Sequence, residues 1–420
     1  NSGYLNIDSF DQVQFDLQNP NRVVGEGDNF RYNFNIDANV LSGFAQAQFK
    51  YNKVDFFLAG SYTATEYQRE GLYQTETYAD NSLGKGRKLS FGGVGAKGGF
   101  TYKFSGKHIF NVNAGYLTKA PSIRNTFTNS RENHAIVGDI TGIDITEEKI
   151  TSFDANYIFR SSTVKARLTG YFIQMQDANE ISFYFADGIS GVDEGTAFVQ
   201  EILQGIDKTH MGIEFGMEAQ ITPSIKLTGV ASVGQFTYDN NPNLVLTSSD
   251  FVDGLNFGES NLKDYRIAAG PQQAASIGFE YRDPNYWWFG TTANFFANTY
   301  VDVSPLTRTQ NFFLDTDGLP FSDYEPHLAR ELLRQERFED YMVINAIGGK
   351  SWKIGDKYIS LFVSLNNILN QKFKSGGFEQ GRSANYRSLQ EDAGNPKRVF
   401  GPKYWYGRGP TYFLNLNYRF

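Results

Sequence analysis

The sequence predicts an all-β chain forming an antiparallel barrel that crosses a membrane, and three observations predict it. The first is alternation. Met211, Ile213, Phe215, Met217, Ala219 and Ile221 are interleaved with Gly212, Glu214, Gly216, Glu218 and Gln220. Successive side chains of a strand point to opposite faces, so one face is apolar and the other polar, as lipid and an aqueous lumen require. The second is the rhythm of the connections, which alternate between very short and very long. Membrane barrels have tight turns at one rim and long loops at the other, whereas soluble domains seldom carry many long loops. The third is the end of the chain. Tyr412, Leu414, Leu416, Tyr418 and Phe420 share one face against Asn415, Asn417 and Arg419. A terminal strand closing on an aromatic residue is the ending that the outer-membrane assembly machinery reads.

Composition agrees with one large β object. The 420 residues include 37 Phe, 25 Tyr and 42 Gly. Mean hydropathy is −0.43, and no 18-residue apolar run offers a transmembrane helix. A barrel wall needs only alternate residues apolar, so it reads as hydrophilic on average. With no Cys there is neither a disulfide nor a thiolate metal site. A net charge of −7 excludes an ordinary nucleic-acid binder. No signal peptide is visible at Asn1, so the sequence is a mature chain or a piece of one.

In chain order, strands are expected at 32–52, 54–69, 89–104, 108–118, 147–160, 163–176, 209–222, 225–238, 271–283, 285–302, 340–352, 357–369 and 409–420, thirteen in all. Ala45, Ala47, Phe49 and Tyr51 give the first its apolar face, Phe153, Ala155, Tyr157 and Phe159 the fifth, and Ile359, Leu361, Val363 and Leu365 the twelfth. Short turns fall at Asn52-Lys53, Ser105-Gly106-Lys107, Ser161-Ser162, Pro223-Ser224, Asp283-Pro284 and 353–356. Long segments fall near 70–88, 119–146, 177–208, 239–270, 303–339 and 370–408. Bacterial single-chain barrels have even strand numbers and periplasmic termini. Counting back from Phe420, the first strand here runs downward. Residues 1–31 are then expected outside the cell as a loop remnant, and 32–420 as the C-terminal part of a larger barrel.

Chemistry-bearing motifs mostly dissolve on inspection. Gly93-Val94-Gly95-Ala96-Lys97-Gly98 has dinucleotide-site spacing, but strand-like Phe100-Thr101-Tyr102-Lys103-Phe104 follows where a helix is required. Glu214 and Glu218 share a face, yet four residues along a strand separate them by roughly 13 Å, too far for either glycosidase geometry. His108, His134, His210 and His327 are scattered, none at metal-ligand spacing, and read as solvated loop or rim residues. Tyr286-Trp287-Trp288-Phe289 beside a short turn reads as an interfacial girdle. Leu328, Leu332 and Leu333 after Pro326 predict a short loop helix.

Binding is expected in the long loops. Segment 177–208 carries Asp177, Glu180, Asp187, Asp193, Glu194, Glu201 and Asp207, with Lys208 as its cation, and holds Phe183, Tyr184, Phe185 and Phe198. The last loop is opposite in sign, with Lys372, Lys374, Arg382, Arg387, Lys397, Arg398, Lys403 and Arg408. The two loops pair, cradle a hydrogen-bonding ligand, or are solvated surface. Phe183, Tyr184, Phe185, Phe198, Arg382, Arg387, Trp405 and Arg408 are the candidate ligand contacts.

Further stretches carry a resemblance. Gly115-Tyr116-Leu117-Thr118-Lys119-Ala120-Pro121-Ser122 is followed by Thr146-Glu147-Glu148-Lys149. Downstream come Leu332-Leu333-Arg334-Gln335-Glu336, Asn345-Ala346-Ile347-Gly348-Gly349-Lys350-Ser351-Trp352, Asn366-Asn367-Ile368-Leu369-Asn370, Gly376-Gly377-Phe378-Glu379-Gln380-Gly381-Arg382 and Tyr404-Trp405-Tyr406-Gly407. From about residue 40 to 420 the chain resembles the TonB-dependent receptors of the outer membrane, in particular the Bacteroidetes branch with a carboxypeptidase-regulatory-like domain, the Oar-like receptors. The resemblance implies a barrel of about 22 strands plugged by an N-terminal domain, of which this chain would supply the last thirteen. It implies import of a large or scarce nutrient (glycan, peptide or chelate), energised by TonB through an N-terminal region, with no cofactor and no covalent chemistry. Surface lipoproteins are the partners it suggests. Scattered His and the lack of Cys disfavour direct metal capture. The rival reading is a barrel serving as a structural or assembly partner in an outer-membrane complex.

Overall fold

The computed structural model describes residues 15–192, 195–248 and 254–420. Asp193, Glu194 and residues 1–14 of the N-terminal segment lie outside them. The first strands are β1 (Phe34–Lys50), β2 (Val54–Gly71), β3 (Gly84–Lys85), β4 (Leu89–Lys103), β5 (His108–Lys119) and β6 (Glu148–Arg160). There follow β7 (Val164–Asp187), β8 (Thr196–Gln220), β9 (Ile225–Tyr238), β10 (Asn243–Ser248), β11 (Leu255–Glu259), β12 (Gln273–Arg282) and β13 (Trp287–Ala297). The last are β14 (Tyr341–Ile354), β15 (Lys357–Asn366), β16 (Lys374–Phe378), β17 (Lys403–Tyr406) and β18 (Thr411–Arg419). Among the described residues three short α-helices lie in the loops: α1 (Val137–Thr141), α2 (Pro326–Leu332) and α3 (Tyr386–Gly394).

Thirteen strands form one antiparallel wall in the order β1-β2-β4-β5-β6-β7-β8-β9-β12-β13-β14-β15-β18, as the alternation predicts. The register stacks like with like. One row across the sheet runs Ala47, Leu58, Gly98, Ala114, Phe153, Phe172, Met211. A row on the opposite face runs Thr101, Asn111, Asn156, Thr169, Glu214. On that polar face Asn113 donates to Asp154 at 2.9 Å, while Thr169 and Arg167 donate to Asn156 Oδ1 at 2.8 and 2.9 Å. Polar groups on this face thus satisfy one another. Among the described residues the wall is not closed: β1 pairs with β2 alone, and β18 with β15 alone.

The short connections cluster at one rim and are built by local chemistry. Ser161 Oγ accepts from the Val164 amide at 2.9 Å, and Asp283 Oδ1 from the Asn285 amide at 2.8 Å. At Gly355 the chain takes φ +63°, a left-handed conformation that glycine adopts without steric cost, so β14 returns directly as β15. In the girdle expected at the Asp283-Pro284 turn, Trp287 and Phe289 lie on the apolar face with Tyr281. Trp288 departs from that expectation. Alternation puts it on the polar face, beneath Arg282 at 5.4 Å.

The long segments hold more structure than expected. Strands expected at 163–176 and 209–222 continue as β7 to Asp187 and as β8 from Thr196. Alternation fades there because loops cover both faces of the extended hairpin, giving near-continuous apolar runs such as Ile202-Leu203. β10 adds to β8 and β11 to β10, while β16 and β17 form a separate ribbon. Helix α2 begins at Pro326 as expected. Helix α3 starts where Asn385 Oδ1 accepts from the Ser388 amide at 3.0 Å.

Candidate functional site

At the long-loop rim the connections pack into a cap with its own cores. The largest joins Ile189, Val199 and Leu203 of the β7–β8 hairpin to Leu244 and Leu246 of β10, and then to Leu306 and Ala384. A second packs Phe312, Phe321 and Ala329 against Tyr386, and so joins α2 to α3. A third sets Val137 of α1 against Ile181 and Ile202 on the other face of the hairpin.

Polar clasps lock these layers. Asn311 is fully buried; its Oδ1 accepts from the Ser190 amide at 2.7 Å, and its Nδ2 donates to the Gly188 and Ala384 carbonyls at 3.2 and 3.1 Å. Arg382 Nε donates to Asp187 Oδ2 at 2.8 Å. The oppositely charged loops therefore pair with each other at this point. Other bases of the last loop bind elsewhere, Lys374 to Glu336 at 2.6 Å and Arg387 to Asp323 at 2.7 Å. On the far side of the rim, Arg69 is buried and donates to the carbonyls of Ser130 at 2.7 Å and Ser82 at 3.0 Å, with His134 Nδ1 3.0 Å from its Nη1.

The charge balance in the middle of the cap is unusual. Glu201 is 4% exposed and accepts from the Tyr184 hydroxyl at 2.6 Å. Burial pushes its carboxyl up to about 7, reinforced by Glu180 and Asp302 and opposed by the Tyr184 hydrogen bond. Asp302, on the segment after β13, adds a further nearby carboxylate but is itself exposed. Arg308 Nη2 donates to Glu379 Oε1 at 3.0 Å, and its guanidinium lies 5.1 Å over the Tyr265 ring.

The structure brings together four of the eight candidate contacts. Phe183, Phe185 and Phe198 share one face of the hairpin, each about half exposed, with Phe185 and Phe198 centroids 5.0 Å apart and Arg382 reaching over Phe185 at 5.9 Å. Tyr184 turns to the opposite face and serves Glu201. Arg387 makes its contacts with Asp323 and Phe321, Trp405 packs at a tilt against Phe378 with centroids 5.7 Å apart, and Arg408 gives its carbonyl to Asn367 at 2.9 Å. Arg308, Asn311, Glu379 and Asp302 were not legible as site residues, because their partners lie up to 123 residues away. A surface of stacked rings edged by an arginine can hold a flat or hydrogen-bonding ligand.

The other motifs resolve plainly. Gly93 and Gly95 lie within β4, where added Cβ atoms would come within 2.7 Å of the Thr118 carbonyl and 2.3 Å of Ser61 Oγ. They are close-packing glycines of the wall. Glu214 and Glu218 face Thr169 and Lys165 across the ladder. Two histidines differ from the solvated reading: His134 is built into the Arg69 clasp, and His210 stacks on Phe236 at 4.7 Å. No group of metal-holding side chains occurs among the described residues.

Comparison with known proteins agrees with this architecture. The family model described as TonB dependent receptor-like, beta-barrel matches residues 1–368. None of the curated proteins compared matches the sequence. Among solved structures, the siderophore receptor PiuA from Acinetobacter baumannii is similar with a TM-score of 0.57 at 10% identity, over 91% of this chain and 43% of that one. The ferric citrate transporter FecA gives 0.58 at 9% identity, over 94% and 47%. The copper transporter OprC gives 0.55 at 13%, over 91% and 47%. The chain thus spans less than half the length of each of these structures. Identities so low establish the fold alone, and it is the family match over most of the sequence that decides: the chain belongs to the TonB-dependent receptor-like β-barrel family of outer-membrane proteins.

Proposed function

We propose that this chain is the C-terminal part of a TonB-dependent outer-membrane transporter that imports a large or scarce nutrient through a plugged barrel. The observation that carries the reading is the open wall. Backbone groups left unpaired in hydrocarbon cost several kcal/mol each, so neither the β1 nor the β18 edge is tolerable facing lipid. Further strands, about nine if the barrel has about 22, pair with both edges and enclose a plug that TonB engages. The shares covered in the solved receptors, 43–47%, support that division. In this reading the long loops with residues 15–31 are extracellular and the Phe420 end is periplasmic. The ligand enters past the Phe183, Phe185, Phe198 and Arg382 surface. Glycan, peptide and chelate are the cargo classes that fit; the names of the neighbours supply the last of these. The motifs from Gly376 to Gly407 point to the Oar-like branch, whose surface lipoproteins would be neighbours of the cap.

Uptake in cells tests this. Fluorescent oligosaccharide, peptide and ferric-chelate panels are offered to cells carrying the complete receptor, with TonB present or deleted. Uptake of one class that needs both the receptor and TonB supports the proposal. Uptake of every class unchanged on deleting either, with the barrel present in the membrane, contradicts it and favours the structural-partner reading.

A further inference from the structure

The polar face of the wall is not polar throughout. On β15 and β18, Leu361, Val363, Leu414 and Leu416 take the apolar face, so Phe362 and Phe413 between them lie on the polar one, with Trp288 of β13. Their rings form a connected row: Trp288 and Phe362 centroids lie 6.1 Å apart, and Phe362 and Phe413 centroids 6.2 Å apart. Gly349, between Trp288 and Phe362 in the register, leaves room for the indole, since a Cβ there would come within 2.8 Å of its Nε1. Ile347 extends the patch beside Gly290. Phe413 is 55% exposed and Ile347 39%.

The same face of β5 to β8 is built for water. There Asn111, Asn113, Asp154, Asn156, Arg167 and Thr169 bond to one another, with exposed Glu214 beside Thr169 in the register. The rings on the β13–β18 side have no such use for water, and it is the opposite face that meets lipid. Their cover must come from protein, and two observations indicate which. Among the described residues β18 pairs with β15 alone, so the row ends at the edge where further strands attach. The solved receptors of this fold run on for more than half their length outside the part that this chain matches.

We propose that Trp288, Phe362 and Phe413 are the dry seat of the plug: an apolar segment of the N-terminal portion packs on these rings, while the plug meets the β5–β8 face through water. This rests on the plugged-barrel reading above and adds where the plug is anchored. Covering the rings removes apolar surface from water, and the mutual hydrogen bonds of the β5–β8 side leave its polar groups already partnered. Strand spacing separates the plug from the other possible cover, the strand that pairs with β18. That strand lies next to Phe413 but four spacings, roughly 19 Å, from Trp288. Trp288 therefore reports the plug alone.

Photo-crosslinking in the complete receptor tests this. Benzoylphenylalanine in place of Trp288 or Phe362 should join, on irradiation, to a plug peptide identified by mass spectrometry. Thiol labelling reads the water: Phe362→Cys should react with a small charged methanethiosulfonate on the order of tenfold more slowly than Glu214→Cys. Should Phe362→Cys fail to fold, Phe413→Cys is read in its place. Links to no plug peptide from either position, links only to the strand beside β18, or equal labelling on the two sides would overturn the proposal. Neither measurement needs cargo or TonB. Loss of TonB-dependent uptake with the links present would contradict the transport reading and leave the seat standing, whereas intact uptake with rapid labelling at Phe362→Cys would remove the seat alone.

Discussion

Arg382 and Asp187 are 195 residues apart in the chain and 2.8 Å apart in the fold, with Arg382 Nη2 also 3.1 Å from the Thr196 hydroxyl. This contact fastens the last long loop to the tip of the β7–β8 hairpin. Both side chains are about one quarter exposed, so solvent screens the pair. Replacing Arg382 by Gln should cost below about 1 kcal/mol of cap stability.

Asn311 should matter more. Asn311→Ala leaves the buried Ser190 amide and Ala384 carbonyl without that partner, while the Gly188 carbonyl keeps Asn385 Nδ2 at 3.3 Å. A loss of about 2–3 kcal/mol is expected. Limited proteolysis should then cut near 188–192 or 382–385 well before the wild type is cut, with the wall strands still intact. An Asn311→Ala cap as resistant as the wild type would show that the clasp does not hold it.

Arg69 makes an independent test on the opposite side of the rim. It is 2% exposed, and carbonyls and His134 are its partners. Arg69→Met keeps the stem but orphans the Ser82 and Ser130 carbonyls, at an expected cost of about 2–4 kcal/mol. Exchange in segments 72–88 and 126–135 should accelerate. If it does not, those loops are held by the Phe127 and Ile136 core instead.

The wall was legible in the sequence because a half-lipid, half-water environment writes itself as strict alternation, seen in Phe215 against Glu214. The turns were legible because Ser161, Asp283 and Gly355 carry local chemistry. The cap was not. Glu201 lies in a strand whose two faces are both covered, so no alternation marks it. Arg308 and Glu379 recognise each other across 71 residues, a separation that no local sequence pattern reports. Aromatic and charge content singled out Phe183, Phe185, Phe198 and Arg382 as candidates, and the fold sets these four beside one another. Arg387 and Trp405 were grouped with them because composition does not say which loop a side chain will meet.

The two faces should respond unequally to substitution. Arg in place of Phe215, on the apolar face near mid-wall, should cost about 2–4 kcal/mol. Asn417→Ser on the polar face should cost little, while removal of Phe420 should lower the amount of folded barrel recovered from membranes. Heat-modified gel mobility of the membrane fraction reads all three. Equal tolerance on both faces would contradict a membrane wall.

Sidedness can be read with cysteines, since the sequence has none of its own. Lys397→Cys in the exposed last loop should react with an impermeant maleimide on intact cells, and Ser105→Cys in the opposite turn should not. Reaction at Ser105→Cys alone would invert the orientation.

The most direct test is a cryo-electron microscopy structure of the complete protein from native membranes, read at the outer edges of β1 and β18. Each edge is expected to be hydrogen-bonded to a strand from another segment, closing a barrel of about 22 strands around a plug. Ladder hydrogen bonds running directly between Phe34–Lys50 and Thr411–Arg419, closing these thirteen strands on themselves, would contradict it.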